Sequence, residues 1–191
     1  MPKEMRKQIV IIGDGECGKT SLMIAFADNR FPPEYVPTVF DAFNKDIEID
    51  GRRVNLSLWD TAGQETFDKL RHLMYPDSDV VLVAYSIADP VSLENVRERW
   101  VPEVNRLCPG TPFILVGCKK DLRHDEATIR KLANENLSPI NYNEGYALKT
   151  ALRAKGFVEC SAKLFENVNL VFEMATRITL KPDKVNACCF L

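Results

Sequence analysis

Gly13-Asp14-Gly15-Glu16-Cys17-Gly18-Lys19-Thr20 has the spacing G-x-x-x-x-G-K-[ST], between the apolar run Gln8-Ile9-Val10-Ile11-Ile12 and the helix-prone Ser21-Leu22-Met23-Ile24-Ala25-Phe26-Ala27. A strand feeding a loop that opens a helix is the setting in which this spacing binds phosphate. Glycines let the backbone wrap an anion so that several N–H groups point inward, and the helix N-terminus adds partial positive charge. Lys19 then reaches the β- and γ-phosphates, and the Thr20 hydroxyl is a hard oxygen ligand for magnesium. The loop implies a bound nucleotide without saying which one.

Three further polar clusters follow apolar runs: Asp60-Thr61-Ala62-Gly63-Gln64-Glu65 after Trp59, Cys118-Lys119-Lys120-Asp121 after Gly117, and Ser161-Ala162-Lys163 after Cys160. Bringing them together takes a sheet. Val80 to Ser86 and Phe113 to Gly117 are continuous apolar runs of the kind buried on both faces of a parallel sheet. Ile47 and Ile49, then Asp50-Gly51, then Val54, Leu56 and Leu58 alternate on both sides of a D-G turn, which predicts a β-hairpin.

Helical segments are expected from Thr66 to Tyr75 (short and polar), from Ser92 to about Leu107, from His124 to Asn136, from Glu144 to Lys155 and from Asn167 to Leu180. Pro102 predicts a kink in the second, or a first segment ending near Val101. The third has only a thin apolar stripe, Ile129 and Leu132, and reads as a surface excursion. Gly156 is read as the C-cap of the fourth, and Pro182 ends the last. Trp100, at helical spacing from Val96 and Val104, reads as core rather than ligand, and His72 and His124 read as surface residues. Asp28 to Thr38, with three prolines, reads as an irregular loop beside the phosphate site. Alternating strands and helices imply a mainly parallel sheet covered on both faces, with ligands at the carboxyl ends of the strands, where all four clusters fall.

A chain of 191 residues, 46% hydrophobic and 27% charged, suits one domain with a sizeable core. A net charge of -2 disfavours nucleic acid as a partner. The six cysteines include no C-x-x-C pair and none has a histidine at zinc-ligand spacing, so a reduced, cytoplasmic protein is expected. No signal peptide and no bilayer-spanning stretch is read.

These clusters, with Tyr35-Val36-Pro37-Thr38-Val39-Phe40-Asp41, resemble the guanine-nucleotide motifs of the small GTPases of the Ras superfamily, specifically the Rho family, from about Gln8 onward. The resemblance implies an α/β fold: a P-loop NTPase three-layer sandwich with a mostly parallel six-stranded sheet, one antiparallel strand and a Rho-type helical insert at about 124–137. It implies a nucleotide-binding domain over residues 1–180 and a flexible tail over 181–191. The product would be a switch that binds GTP or GDP with magnesium, hydrolyses GTP and recruits effectors in the GTP state, in actin cytoskeleton signalling.

The resemblance also implies roles. Magnesium would be held by the Thr20 and Thr38 hydroxyls, with Asp60 behind a water; Thr38 and the Gly63 N–H would sense the γ-phosphate. Nucleotide would be lined by Gly13, Gly15, Glu16, Cys17, Gly18, Lys19, Thr20, Ser21, Phe31, Tyr35, Lys119, Asp121, Ser161, Ala162 and Lys163. Asp121 would accept from the guanine N1–H and exocyclic amine, the Ala162 N–H would donate to the base carbonyl, Ser161 would brace that loop, and Phe31 would pack edge-on against the base. In catalysis, Gln64 would orient the attacking water, Gly15 would leave room for it, and Lys19 would neutralise phosphate charge. With no internal arginine finger, an activating partner would accelerate hydrolysis by about five decades, or roughly 7 kcal/mol.

One residue departs from the family pattern: Cys118 stands where Asn or Thr usually precedes Lys119, and a thiol is a weak donor and acceptor. Either the nucleotide would exchange faster, or the thiol simply packs while neighbouring bonds compensate; the first opens an alternative, a binding protein that stays GTP-loaded and relies little on hydrolysis. An ATP-dependent kinase is disfavoured by Asp121 and by the lack of an acceptor site. Cys17, beside Lys19 and a helix N-terminus, is in surroundings that lower a thiol pKa, but the family often carries cysteine here and a packing role is the favoured reading. Cys188-Cys189-Phe190-Leu191 matches C-a-a-X, with Leu191 favouring geranylgeranyl on Cys188. Lys181 and Lys184 add only about 1 kcal/mol on an anionic leaflet, so anchoring at the cytoplasmic face, at the plasma membrane, would be reversible. Expected partners are exchange factors, GTPase-activating proteins, effectors and a prenyl-binding dissociation inhibitor.

Overall fold

In the computed structural model, which describes residues 5–32, 40–63 and 67–180, strands and helices alternate along the chain. The first strand β1 (Met5–Gly13) leads into α1 (Lys19–Asp28); β2 (Phe40–Ile49) and β3 (Arg52–Thr61) form the hairpin, and α2 (Asp68–His72) follows. Beyond β4 (Val80–Ser86), α3 (Pro90–Asn95) runs into a π-helical turn (Val96–Trp100) and then α4 (Val101–Leu107). After β5 (Phe113–Cys118) come a 3-10 turn (Lys120–His124), α5 (Glu126–Ala133), α6 (Tyr142–Ala151), β6 (Gly156–Glu159) and α7 (Val168–Leu180).

The six strands form one sheet in the order β2-β3-β1-β4-β5-β6, parallel throughout except for β2 against β3. The expected sheet is therefore present. Asp50 and Gly51 both have positive φ, 52° and 73°, the primed turn that a two-residue hairpin needs.

The pleat sends alternate residues of β1 to opposite faces, and this divides the core in two. Ile9 and Ile11 join Leu22 and Phe26 of α1 and Val171 and Phe172 of α7 in one apolar cluster. Val10 and Ile12 join Trp100, Val104 and Leu148 in the other. Helices thus cover both faces, β4 is buried along its whole length, and the strands' carboxyl ends are left to carry the polar loops.

Three local expectations are corrected. The helix expected from Ser92 begins at Pro90, capped by Asp89, whose carboxylate accepts from the Val91 N–H at 3.1 Å. The boundary expected near Val101 falls there: a π turn ends at Trp100 and α4 opens at Val101 with Pro102 in its first turn. The π turn is widened, the Val101 N–H bonding to the Val96 carbonyl five residues back, so that the proline ring is spared the clash an α-helical turn would impose. Gly156 is not a C-cap: α6 ends at Ala151, Arg153 takes the left-handed conformation (φ 57°), and the Ala154 N–H closes on the Lys149 carbonyl at 3.0 Å. Gly156 instead opens β6. His72 is not a plain surface residue; it is half-buried, with Nε2 3.8 Å from a Glu103 carboxylate oxygen. His124 is exposed.

The expected excursion is an exposed helix, α5, with only Leu132 buried. Residues 181–191, which include Pro182 and Cys188, lie outside the described residues.

Candidate nucleotide site

Gly13 to Thr20 leaves the end of β1 and enters α1. Gly18 holds a left-handed conformation (φ 107°) immediately before Lys19, which turns the loop into the helix axis and leaves the first N–H groups of α1 facing the loop. Lys19 is 6% exposed, its ammonium donating to the carbonyls of Gly13 (3.0 Å) and Asp14 (2.6 Å). Glu16 is exposed, and a Cβ on Gly15 would meet nothing within 4 Å, so the loop's outer side is open.

Asp60 lies at the end of β3, in register with Ile11 of β1 and Asp41 of β2, and is 0% exposed. A carboxylate taken out of water at the rim of a phosphate loop, with the Thr20 hydroxyl on the neighbouring helix, is a hard-oxygen donor set that fits magnesium. Gly63 approaches the loop closely: a Cβ there would come within 2.5 Å of the Asp14 carbonyl carbon and the Gly15 nitrogen. Only glycine fits against that backbone. Gln64, Tyr35 and Thr38 lie outside the described residues.

Beyond α1 a cavity of about 240 Å³ continues the site. Gly18, Ser21 and Phe31 form one wall, and Lys119, Asp121, Ala162 and Lys163 the other, with Cys118 and Cys160 at its base. Ser161 is buried; its hydroxyl donates to Asp121 at 2.6 Å and accepts from the Leu164 N–H at 3.1 Å, so the two loops are tied at the carboxylate. The Lys120 N–H donates to the Cys160 carbonyl at 3.0 Å. Arg123 then locks both from behind, donating to Glu159 through two nitrogens (2.8 and 2.5 Å) and to the Ile140 carbonyl (2.9 Å). Such a bidentate pair fixes orientation as well as distance. Gly18, Ser21, Phe31, Lys119, Asp121, Ala162 and Lys163 thus line one cavity, which meets the phosphate loop at Gly18.

Of the two readings open for Cys17, an activated thiol and a packed one, the structure favours packing. Cys17 is buried, and burial pushes its pKa up to about 11, outweighing the nearby Lys19 ammonium. It is a packed thiol whose contacts are the Ala84 carbonyl and Lys19, not an activated one. Cys118 is buried against the loop: a Cβ on Gly18 would lie 3.2 Å from the Cys118 Cβ. The neighbouring Cys160 thiol together with burial holds the Cys118 pKa well above the ordinary range.

A second shell of polar contacts was not legible from the motifs. Asp14 accepts from Asn95 Nδ2 (2.6 Å) and Trp100 Nε1 (2.7 Å). Trp100 is core as expected, yet its N–H reaches the phosphate loop. Arg71, on the segment read as polar and superficial, is 1% exposed and donates to Glu103 (2.8 and 3.1 Å), Asp68 (2.6 Å) and the Ala62 carbonyl (2.9 Å). The fully buried Tyr75 hydroxyl donates to the same Glu103 at 2.6 Å. Periodicity could flag Tyr75 and Trp100 as apolar positions, but a partner many residues away leaves no local signal.

This cleft pairs a phosphate loop and hard-oxygen donors with a carboxylate-bearing base cavity. Residues 8–181 match the model of the Ras family, and the chain belongs to that family of small GTPases.

Proposed function

We propose that the protein is a Rho-like switch that binds GTP and GDP with magnesium, hydrolyses GTP and engages effectors in the GTP state, in actin cytoskeleton signalling. The observation that carries this reading is Asp121, set by Ser161 on the wall of a cavity that Gly18 and Ser21 join to the phosphate loop. A carboxylate there offers two acceptors side by side, which suit the N1–H and amine of guanine; adenine presents an acceptor at N1.

The residues then divide the work. Lys19 and the loop N–H groups hold the phosphates, while Thr20, Thr38 and Asp60 hold the metal. When bound, magnesium neutralises charge on the β- and γ-phosphates. Gly63 and Thr38 follow the γ-phosphate, and its loss releases their segments. Gln64 orients water, with Gly15 leaving room. An arginine from a GTPase-activating partner completes the site.

The Tyr35–Asp41 segment and exposed helix α5 favour the Rho branch within the family, with Rho-type exchange factors and a prenyl-binding dissociation inhibitor as partners. A prenyl group on Cys188 anchors the chain reversibly at the cytoplasmic face, and Cys188→Ser moves it to the soluble fraction.

The test is single-turnover GTP hydrolysis beside nucleotide release, for the wild type and Gln64→Leu. The wild type hydrolyses bound GTP at least about tenfold faster than the variant. Equal persistence of GTP in both would favour the second reading, a GTP-loaded binding protein with fast exchange, for which the thiol at Cys118 is the supporting observation.

A further inference from the structure

Asp14 presents a puzzle of charge. It is the second residue of a loop built to collect phosphates, where a carboxylate has the wrong sign. Its two oxygens are taken up separately: Oδ2 accepts from Asn95 and Oδ1 from Trp100, at 2.6 and 2.7 Å. Both donors come from the same helical segment and stand five residues apart.

An α-helix places residues five apart about 140° from each other around the axis, on different faces. A π turn, whose hydrogen bond joins residues five apart, brings them to one side. The turn from Val96 to Trp100 is of this kind, closed by the Val101 N–H on the Val96 carbonyl. The widened turn therefore converts Asn95 and Trp100 into a two-pronged grip on one carboxylate.

The Trp100 ring cannot turn away. It is fully buried, with the Arg71 guanidinium 4.8 Å and the Arg99 guanidinium 4.4 Å from its ring centre. Asp68 Oδ1 joins both arginines, at 2.6 and 3.3 Å, and Glu103 holds Arg71 from the other side. The two guanidinium groups over the indole, each held by a carboxylate, keep the ring in place.

We infer that Asn95 and Trp100 are positioning residues for nucleotide binding: they hold the Asp14 carboxylate on the side of the loop facing the π turn, so that its charge does not oppose the phosphates. The inference rests on the guanine-nucleotide reading above. It differs from a packing role because its effect runs through one charge. Freeing the carboxylate matters only while it is a carboxylate, and matters more as the ligand gains phosphate charge.

Release of fluorescent GDP and of a non-hydrolysable fluorescent GTP analogue, from the full chain with magnesium, tests this. In the Asp14 background, Trp100→Phe keeps the ring, loses the N–H, and speeds release about tenfold. Asn95→Ala gives a smaller acceleration, about threefold. Both effects are larger for the triphosphate than for the diphosphate, and both disappear when the same substitutions are made in Asp14→Asn. Equal acceleration in the Asp14 and Asp14→Asn backgrounds, or no dependence on phosphate number, overturns the inference in favour of packing. Asn95 is half-buried on a helix, so Asn95→Ala decides the matter if Trp100→Phe does not fold; unchanged release from Asn95→Ala also overturns it. A wild type that retains no guanine nucleotide overturns the functional reading and the inference together, whereas failure of the clamp variants alone leaves that reading standing.

Discussion

The two ends of the phosphate loop are held by different chemistry. At the leading end, Asp14 takes charge-assisted hydrogen bonds of 2.6 and 2.7 Å from Asn95 and Trp100, and Trp100 is in turn braced by Arg71 and Arg99. At the trailing end, Gly18 packs on Cys118, a buried thiol beside that of Cys160. Bonds to an ionised group are about twice as strong as neutral ones, and thiols are weaker still. The loop is therefore firm where it meets Gly63 and soft where it meets the base cavity. The difference teaches that the two ends of one phosphate loop can be held with unequal strength by the residues behind it, which under the proposed function would stiffen the γ-phosphate end and leave the base end loose.

The largest expected effect removes what both ends serve. Lys19→Ala takes away a 6%-exposed cation, and guanine-nucleotide affinity by calorimetry falls by at least about a thousandfold. A loss under tenfold would mean that the loop does not hold phosphate.

Next comes the brace of the firm end. Arg71→Ala strands the Glu103 carboxylate, 8% exposed, without its bidentate partner. Stability in urea falls by about 3 kcal/mol, and a change below about 0.5 kcal/mol would show that the brace carries no load.

The same pair gives a pH dependence. Burial pushes the Glu103 pKa up, but hydrogen bonds from Arg71 and Tyr75 and the Arg71 charge outweigh it and leave the group below its ordinary value of 4.5. A folded pKa below the unfolded one contributes stability that is complete above the unfolded value and is lost as pH falls through the folded one. The stability gap between wild type and Glu103→Gln should be constant near neutrality and narrow below about pH 4.5. A gap that stays constant down to pH 3 would contradict the assignment.

The smallest effect sharpens the soft end. Cys118→Asn supplies a donor and an acceptor beside Gly18, and release of fluorescent GDP slows by about three- to tenfold, the worth of one hydrogen bond. An unchanged rate would mean that neighbouring contacts already compensate for the thiol.

Much of the scaffold was legible because it is written locally. The apolar runs at β4 and β5 could only be strands buried on both faces, and the D-G turn fixed the hairpin. The loop motif and the three polar clusters carried their positions with them, since strand ends point to one edge of a parallel sheet. What the sequence hid is non-local or counter-intuitive. Pro102 marked the boundary near Val101, but the widened turn before it left no trace in the apolar pattern. Arg71 looked like a solvated face because its partners Glu103 and the Ala62 carbonyl belong to other segments. Gly156 looked like a cap because glycine favours left-handed backbone, yet Arg153 takes that conformation. For Cys17 the lysine beside it is visible in sequence and its burial is not, and burial is what decides for the packing role.

The most direct test of the account is competition between GDP and ADP for the wild-type chain with magnesium. A site that reads the base through the paired acceptors of Asp121 should prefer GDP by about four decades, as sites that hydrogen-bond their ligand reject analogues that leave them unpaired. Comparable affinities for the two nucleotides would contradict it.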